Sequence, residues 1–369
     1  MKYFSAVKLT LKIKLLPDKQ QANALINTLK EANRACNLIS DIAFSKKVFS
    51  QFNLHRESYH LVKGGFNLAA QMVIRCISKV ADSYKLDKNR KRLFNPLGGI
   101  AYDSRILSYK KNNIASIWTV EGRKNIQFIC HNPKYIPFIK GEADLVHKKG
   151  KFYLFQTVDM PEDGINNIEE FIGCDFGQTD ICTLSDGTSF NSEQLKLIRK
   201  KYSKVRASIQ SKGTRNSKLL LKRLSGKERR FGSIQNHTIA KRIVNKAKIE
   251  KKGIAIEDLN GIRKSAKPQS KRLKTELNRW SFYQLRQFLE YKAKLNGVIL
   301  FAVPPAYTSQ MCANCHHIGD RRGKLFKCKN CGHNSDADHN AARNISTWGC
   351  VINQPERCDL LSCAFQVVV

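Results

Sequence analysis

Two Cys-x-x-Cys pairs, Cys312/Cys315 and Cys328/Cys331, stand on either side of a short, basic, glycine-containing loop. No other feature of the chain constrains its folding as tightly. Each pair can clip one edge of a tetrahedral metal ion, and the loop returns the chain so that the second pair closes the opposite edge. Thiolates prefer Zn2+ to harder cations. Four cysteines leave no open coordination position, so the expectation is a structural zinc ribbon and not a catalytic centre. Two disulfides, an iron–sulfur cluster or four free thiols are the competing uses of the same residues. His316, His317 and His333 lie nearby; with four thiols available they read as bystanders. The rest of the twelve cysteines are scattered singly, several in apolar segments (Cys36, Cys76, Cys174, Cys182), which fits a reducing compartment.

Charge narrows the class of partner. The chain carries 65 Lys and Arg against 30 Asp and Glu, a formal +35. Such an excess repels itself in a compact fold and is relieved beside a polyanion. Nucleic acid fits best, because neutralised phosphates release condensed counterions; a generally basic soluble protein is the plainer reading. A membrane surface fits less well, since no strongly basic amphipathic helix has a Trp/Phe face and no apolar run approaches the roughly 20 residues of a span. Lys8, Lys12 and Lys14 interrupt the apolar residues near the N-terminus, unlike a signal peptide. The expected location is cytoplasmic, nucleoid-associated and of prokaryotic type. With 369 residues, 42% of them hydrophobic, the chain can form two or three domains with cores of their own.

Val7, Leu9, Leu11, Ile13 and Leu15 alternate with Lys8, Thr10, Lys12 and Lys14, which predicts a half-buried strand with a basic face. Pro17 ends it, and Asp18 with Gln21 forms a capping box for a helix through Leu25, Leu29, Ala32, Cys36 and Ile39. Gly64-Gly65 marks a turn before a second helical stretch, Asn67–Tyr84, with Leu68, Met72, Cys76 and Val80 inward; its Gln71 and Arg75 could face DNA or serve the fold. Residues 85–165 are punctuated by Pro and Gly between short β-rich runs such as Ile114–Val120 and Phe152–Val158. Together these predict a small β domain interrupted early by a helical insert.

A new pattern begins after the polar stretch Pro161–Asn167. Phe171–Asp175 and Gly253–Glu257 each read as a short buried strand ending in an acid, and Ile181–Leu184 with Asp186-Gly187 as a hairpin. From Lys196 to Arg230 there are 14 Lys or Arg and one acid, Glu228. Leu195, Ile198, Tyr202 and Val205 place a helix in this stretch, with Leu219–Leu224 helical beyond Gly213. It is either a solvated face or a surface for tracking phosphates. Basic residues continue through Arg263, Lys264, Lys267, Lys271, Arg272 and Lys274, with Pro268 in a loop. Trp280–Asn296 predicts a helix and Val298–Val303 the most buried strand of the chain. Ala341–Ile345 predicts another helix, and residues after Trp348 a weakly structured tail.

A strand buried in a sheet does not ordinarily end in a carboxylate without a partner for it. A cluster of such acids repels itself unless a divalent cation neutralises it, and cations held this way hydrolyse phosphodiesters. Each acid taken singly could equally be a cap, a turn residue or a partner for lysine.

The residues also carry a resemblance. Gly173-Cys174-Asp175-Phe176-Gly177 followed by Thr183–Gly187 resembles the first RuvC motif of the TnpB (OrfB) family, and Ile256-Glu257-Asp258-Leu259 the second. Thr308-Ser309-Gln310-x-Cys312-x-x-Cys315, Cys328-x-x-Cys331-Gly332 and Asp338-x-Asn340-Ala341-Ala342-Arg343-Asn344-Ile345 together resemble its zinc ribbon and third RuvC motif. The opening Leu15-Leu16-Pro17-Asp18-x-Gln20 is similar to the family's N-terminus. One departure is that Cys174 and Phe176 flank Asp175 where the family more often has larger aliphatics.

The resemblance implies a multidomain α+β and α/β protein. Its N-terminal β wedge domain would comprise residues 1–16 and 91–165, with a helical recognition insert at 17–90. An RNase H-like (RuvC) nuclease domain would follow at 166–346, with the zinc ribbon inserted at 306–335 and a tail at 347–369. It implies Asp175, Glu257 and Asp338 as a triad holding Mg2+ or Mn2+, with Zn2+ on the four cysteines. Asp336 and Asp258 are neighbouring candidates, although strand alternation turns Asp258 away from the face of Glu257. It implies an RNA-guided DNA endonuclease linked to a transposon, monomeric with its guide RNA, cutting single- or double-stranded DNA beside a short flanking motif. A compact type V CRISPR effector, a guide-directed DNA-binding protein that does not cut, and a transposase acting without RNA remain the alternatives.

Overall fold

A computed structural model describes residues 7–161, 168–177, 179–259 and 282–353. The predicted basic run at 263–274 and most of the expected tail lie outside these. The described residues fall into two compact units that divide after Pro161.

The first unit opens with β1 (Val7–Leu16), whose Val7, Leu11, Ile13 and Leu15 are buried as the alternation predicts. Asp18 caps α1 (Lys19–Lys46): its carboxylate accepts from the Gln21 amide at 2.8 Å, and the Gln21 side chain accepts in return from the Asp18 amide at 3.2 Å. Two more helices follow, α2 (Gln51–Gly65) and α3 (Ala70–Tyr84). Leu68 precedes α3 and does not belong to it. Gln71 and Arg75 make contacts within the fold, Gln71 with Asp103 and Arg105 and Arg75 with Glu142. The chain then forms β2 (Ile100–Tyr102), β3 (Leu107–Lys110), β4 (Ile114–Thr119), β5 (Gly122–Cys130), β6 (Ile139–Lys148) and β7 (Lys151–Met160). The sheet order is β2-β6-β7-β1-β5-β4-β3, antiparallel throughout. The first strand thus lies at the middle of the sheet, and the three helices are an excursion between it and its partners. One core joins sheet and helices, with Ile13, Leu25, Leu29, Ile77, Ile117 and Leu154 among its fully buried members. Truncating any one to Ala costs on the order of 2–5 kcal/mol.

The second unit is built on β8 (Phe171–Asp175), β9 (Asp180–Leu184), β10 (Ser189–Asn191), β11 (Gly253–Glu257) and β12 (Leu300–Val303), in the order β10-β9-β8-β11-β12. Strands β8, β11 and β12 run parallel, while β9 is antiparallel to both neighbours. Helices α4 (Glu193–Ser211), α5 (Arg215–Leu224) and α6 (Lys227–Glu250) connect β10 to β11 and carry the long basic run, most of it exposed. Helix α7 (Phe282–Leu295) precedes β12. Three short antiparallel strands, β13 (Asp320–Arg322), β14 (Leu325–Lys327) and β15 (Asn334–Asp336), lead into α8 (Ala337–Asn353). This last helix runs on to Asn353, past the point where the sequence predicts a tail.

The period-2 alternation of the strands sorts their side chains between two helical layers. Ile172, Cys174, Ile254 and Ile256 face one core with Ile239, Ile243, Leu285 and Leu289 of α6 and α7. Phe171 and Ala255 face the other, with Ile345 of α8. Strands β8 and β11 are buried along four of their five residues. The segment Val298–Val303, expected to be the most buried, forms the edge strand β12, with Ala302 exposed and only Val303 of the strand buried. An apolar run reports that a strand is covered on both faces; it does not report whether the strand has a neighbour on each side.

Candidate functional site

Asp175 and Glu257 occupy the last positions of β8 and β11. The two strands are parallel, with Ile256 paired to Cys174, so the two acids emerge side by side at the carboxyl edge of the sheet. Alternation puts both on the α8 side, the face of Phe171 and Ala255. Asp258, one residue on, turns to the α7 side and pairs with Arg286 at 2.6 Å.

Helix α8 brings the third acid. Two glycines let it approach: a Cβ on Gly173 would stand 1.9 Å from the carbonyl oxygen of Ala342, and one on Gly349 would stand 2.8 Å from the Cβ of Ala255. Seated this closely, α8 presents Asp338, in its first turn, toward the two strand ends. Asp336 caps the helix, accepting from the amides of Asp338 at 2.9 Å and His339 at 3.0 Å.

The electrostatics show that Asp175, Glu257 and Asp338 share one environment. The carboxyl of Asp175 is pushed up to about 7, chiefly by burial, then by the charges of Glu257 and Asp338. Burial also raises Glu257, against the opposing effects of a Thr308 hydrogen bond and of Arg321. Asp338 is raised by burial as well, with Arg321 again opposing. The donor atoms of the four cysteines all lie within 4.8 Å of one another.

Several groups that hold this cluster were not legible in the sequence. Thr308 Oγ1 donates to Glu257 Oε1 at 2.8 Å. Arg321, on β13, donates to Asp338 Oδ1 at 3.0 Å. Lys324 pairs with Asp180 and lies 4.0 Å from Asp338 Oδ2, so Asp180 is a fourth acid at the margin. Both cations belong to the β13–β14 hairpin.

That hairpin is part of the cysteine ribbon, whose two halves repeat one geometry. Cys312 N donates to the carbonyl of His317 at 2.9 Å, and Cys328 N to that of His333 at 2.8 Å. The turns close from His316 N to Cys312 O at 2.9 Å and from Gly332 N to Cys328 O at 3.1 Å, with His316 and Gly332 both left-handed, at φ 60° and 73°. The sulfur pairs Cys315–Cys328, at 3.5 Å, and Cys312–Cys331, at 3.6 Å, are far too long for disulfides, which need about 2.05 Å. Burial pushes the Cys315 thiol up, but the His317 amide and the neighbouring thiols and amide outweigh it and hold it down to about 6. Four sulfurs converging in this way can hold a metal ion. His317 instead contacts the carbonyl of Cys315 at 3.0 Å, and His333 the side chain of Asn314 at 3.2 Å.

Two buried asparagines of α8 join ribbon to site. Asn340 donates to Met311 O at 2.7 Å and accepts from Ala313 N at 2.9 Å; Asn344 donates to Met311 O at 2.7 Å and to Thr308 O at 2.9 Å. One turn apart on one helix face, they fasten the segment that carries both the first cysteine pair and Thr308.

The family model described as Cas12f1-like, TNB domain matches residues 282–345, from α7 through the ribbon into α8. The TnpB-like protein MJ0751 of Methanocaldococcus jannaschii is 36% identical over 162 residues, which are 43% of this chain and 58% of the relative. The CRISPR-associated endodeoxyribonuclease Cas12f1 of Sulfoacidibacillus thermotolerans is 29% identical over 227 residues, 55% of this chain and 52% of that protein. The chain thus spans a little over half the length of these curated relatives. The cryo-EM structure of the Cas12f1–sgRNA–target DNA complex aligns with a TM-score of 0.60 at 16% identity, over 89% of this chain and 83% of that one; the two share a mixed α/β fold. The resemblance to TnpB is therefore matched by curated relatives of that name, with Cas12f1 effectors beside them.

Proposed function

We propose that the chain is an RNA-guided DNA endonuclease of the TnpB kind. Asp175, Glu257 and Asp338 form its divalent-metal site in an RNase H-like (RuvC) domain, and Cys312, Cys315, Cys328 and Cys331 hold a structural zinc ion. The observation that carries the reading is the meeting of three acids, from β8, β11 and α8, at one buried rim where burial and mutual charge hold Asp175 up to about 7. A carboxylate cluster in that condition is short of positive charge and suits a hard, oxygen-liganded cation such as Mg2+ or Mn2+. The sheet order β10-β9-β8-β11-β12 with one antiparallel strand supports the RNase H-like assignment.

The donor sets fit their ions. Four thiols leave the ribbon closed, as a structural zinc site requires. A divalent cation at the carboxylates would supply an activated water and offset charge on the leaving oxygen. The chain's own residues do the positioning: Thr308 fixes one oxygen of Glu257, Arg321 orients Asp338, and Asp336 holds the helix turn from which Asp338 projects. The charge of +35 suits a protein that must hold both an RNA and a DNA strand.

The test is to purify the full chain with its host RNA, sequence that RNA, and assay cleavage of DNA matching it with Mg2+ or Mn2+. Cutting by the wild type and its loss in Asp175→Ala are expected. Equal behaviour of the two proteins would refute the nuclease assignment; the absence of an enriched RNA would refute guidance. The likeness to Cas12f1 favours one second reading, a compact CRISPR effector, which a repeat-derived RNA would identify.

A further inference from the structure

Away from the carboxylates, the seam between α6 and α7 carries a feature that the proposed cleavage chemistry does not use. Arg230, Ile234, His237, Lys241 and Lys248 recur at helical spacing along one exposed flank of α6. At its middle the imidazole of His237 lies flat on the ring of Phe288 from α7, centroids 3.6 Å apart and planes within 14°. Tyr291 meets both edge-on, at 6.5 Å and 74° to His237 and 6.1 Å and 86° to Phe288, with its hydroxyl 3.4 Å from His237 Nδ1. Phe288 packs against the core beneath, whereas His237 stays exposed. The two rings form a stack with Phe288 on the core side and His237 on the exposed side.

The surroundings are cationic. Lys292 sits over the Tyr291 ring at 5.3 Å, and neither Lys292 nor Lys241 forms an ion pair among the described residues. The adjacent carboxylate, Glu290, is taken by Arg286 at 2.8 Å. Burial lowers Lys292 and the charge of Lys241 lowers it further; burial followed by Lys292 does the same to His237. Cations that depress one another have a net field that an anion would relieve. An aromatic face beside such a field is the combination by which proteins hold unpaired nucleic acid, bases on the rings and phosphates on the cations. An acidic peptide would satisfy the lysines but leave the exposed ring unused.

We infer that the α6–α7 seam is a binding site for single-stranded nucleic acid. An unpaired base stacks on His237, and the neighbouring phosphate is taken by Lys241 and Lys292. Duplex DNA does not fit, because its bases are already stacked on one another.

The test uses the full chain carrying Asp175→Ala, so that no strand is cut, and reads fluorescence anisotropy with short labelled single strands. The strands are RNA and DNA, each with and without abasic positions, together with a blunt duplex. Adding His237→Ala should weaken binding of base-bearing strands about ten-fold, within the roughly five- to hundred-fold range of one lost stack, and leave abasic strands unaffected. His237→Phe should restore it. Lys241→Gln should weaken both kinds of strand and reduce the salt dependence by about one counterion. The RNA and DNA arms tell which strand is held. Unchanged affinity in His237→Ala, an equal loss on abasic strands, or duplex binding as tight as single-strand binding would each overturn the inference. Unfolding curves matching the parent exclude misfolding. The readout does not involve cleavage: base discrimination lost on His237→Ala would stand even if guided cutting were disproved, and cutting could stand if this failed.

Discussion

Replacing Asp175 with Asn should make the protein more stable when no divalent cation is bound at the carboxylates, and increasingly so as the pH rises. The carboxyl stands at about 7 in the folded chain against an ordinary 3.8, first through burial and then through Glu257 and Asp338. Between those values the folded state keeps a proton that the unfolded chain has already released. Unfolding therefore releases a proton in that window, and stability falls as the pH climbs from about 4 to about 7, then levels off. At about 1.4 kcal/mol per unit, the penalty reaches roughly 2 kcal/mol at about pH 5.5 and roughly 4 kcal/mol above about pH 7. Asparagine, which does not ionise, escapes it. Urea denaturation of zinc-loaded wild type and Asp175→Asn, without added divalent cation, should show the variant's advantage growing by about 2 kcal/mol between about pH 5.5 and about pH 8. Comparing the two proteins at each pH cancels the titration of the thiols. Mg2+ or Mn2+ should stabilise the wild type and close the gap while leaving the variant nearly unmoved. An advantage independent of pH, or a variant less stable than the wild type, would refute the account of Asp175 as a carboxyl strained by burial and its neighbours.

Two further outcomes follow from the bracing of the site. Asn340→Ala orphans the part-buried amide of Ala313 and removes a buried amide from α8, but leaves Met311 O partnered by Asn344, so it should cost about 1–3 kcal/mol and speed release of zinc to a colorimetric chelator; unaltered stability and release would contradict the pinning role of Asn340. Arg321→Gln removes a cation that stands beside Asp338 and would repel an incoming metal ion, so calorimetry should show Mn2+ binding several-fold tighter, about 1 kcal/mol, and unchanged affinity would count against competition between the two.

How much of this could be read in the sequence depended on how local each signal was. The cysteine pairs and the strand-end acids declare themselves within a few residues, and alternation alone correctly turned Asp258 away from Glu257. Strands β8 and β11 were legible because burial on both faces writes an unbroken apolar run. The neighbours that tune the acids were not. Thr308 reaches Glu257 across 51 positions, Arg321 reaches Asp338 across 17 and Lys324 reaches Asp180 across 144, and no periodicity connects residues joined only by the fold. Arg321 and Lys324 looked like ordinary loop charges, because a basic chain makes any single cation unremarkable. The edge position of β12 was hidden for a different reason: strand neighbours are a property of topology, not of the strand's own residues.

Gly173 sets the seating depth of α8. An added methyl at that position would meet the Ala342 carbonyl at 1.9 Å, whereas ordinary contact begins at 3.4 Å, so the helix would have to back away by roughly 1.5 Å, the difference between the two. Asp338 rides on that helix, while Asp175 is two residues along the strand from the glycine. Metal–ligand distances tolerate errors of about 0.2 Å. A residue with no functional group thus acts as the gauge for how far apart two acids stand, and the tolerance for change at position 173 is narrower than at many positions that carry charge.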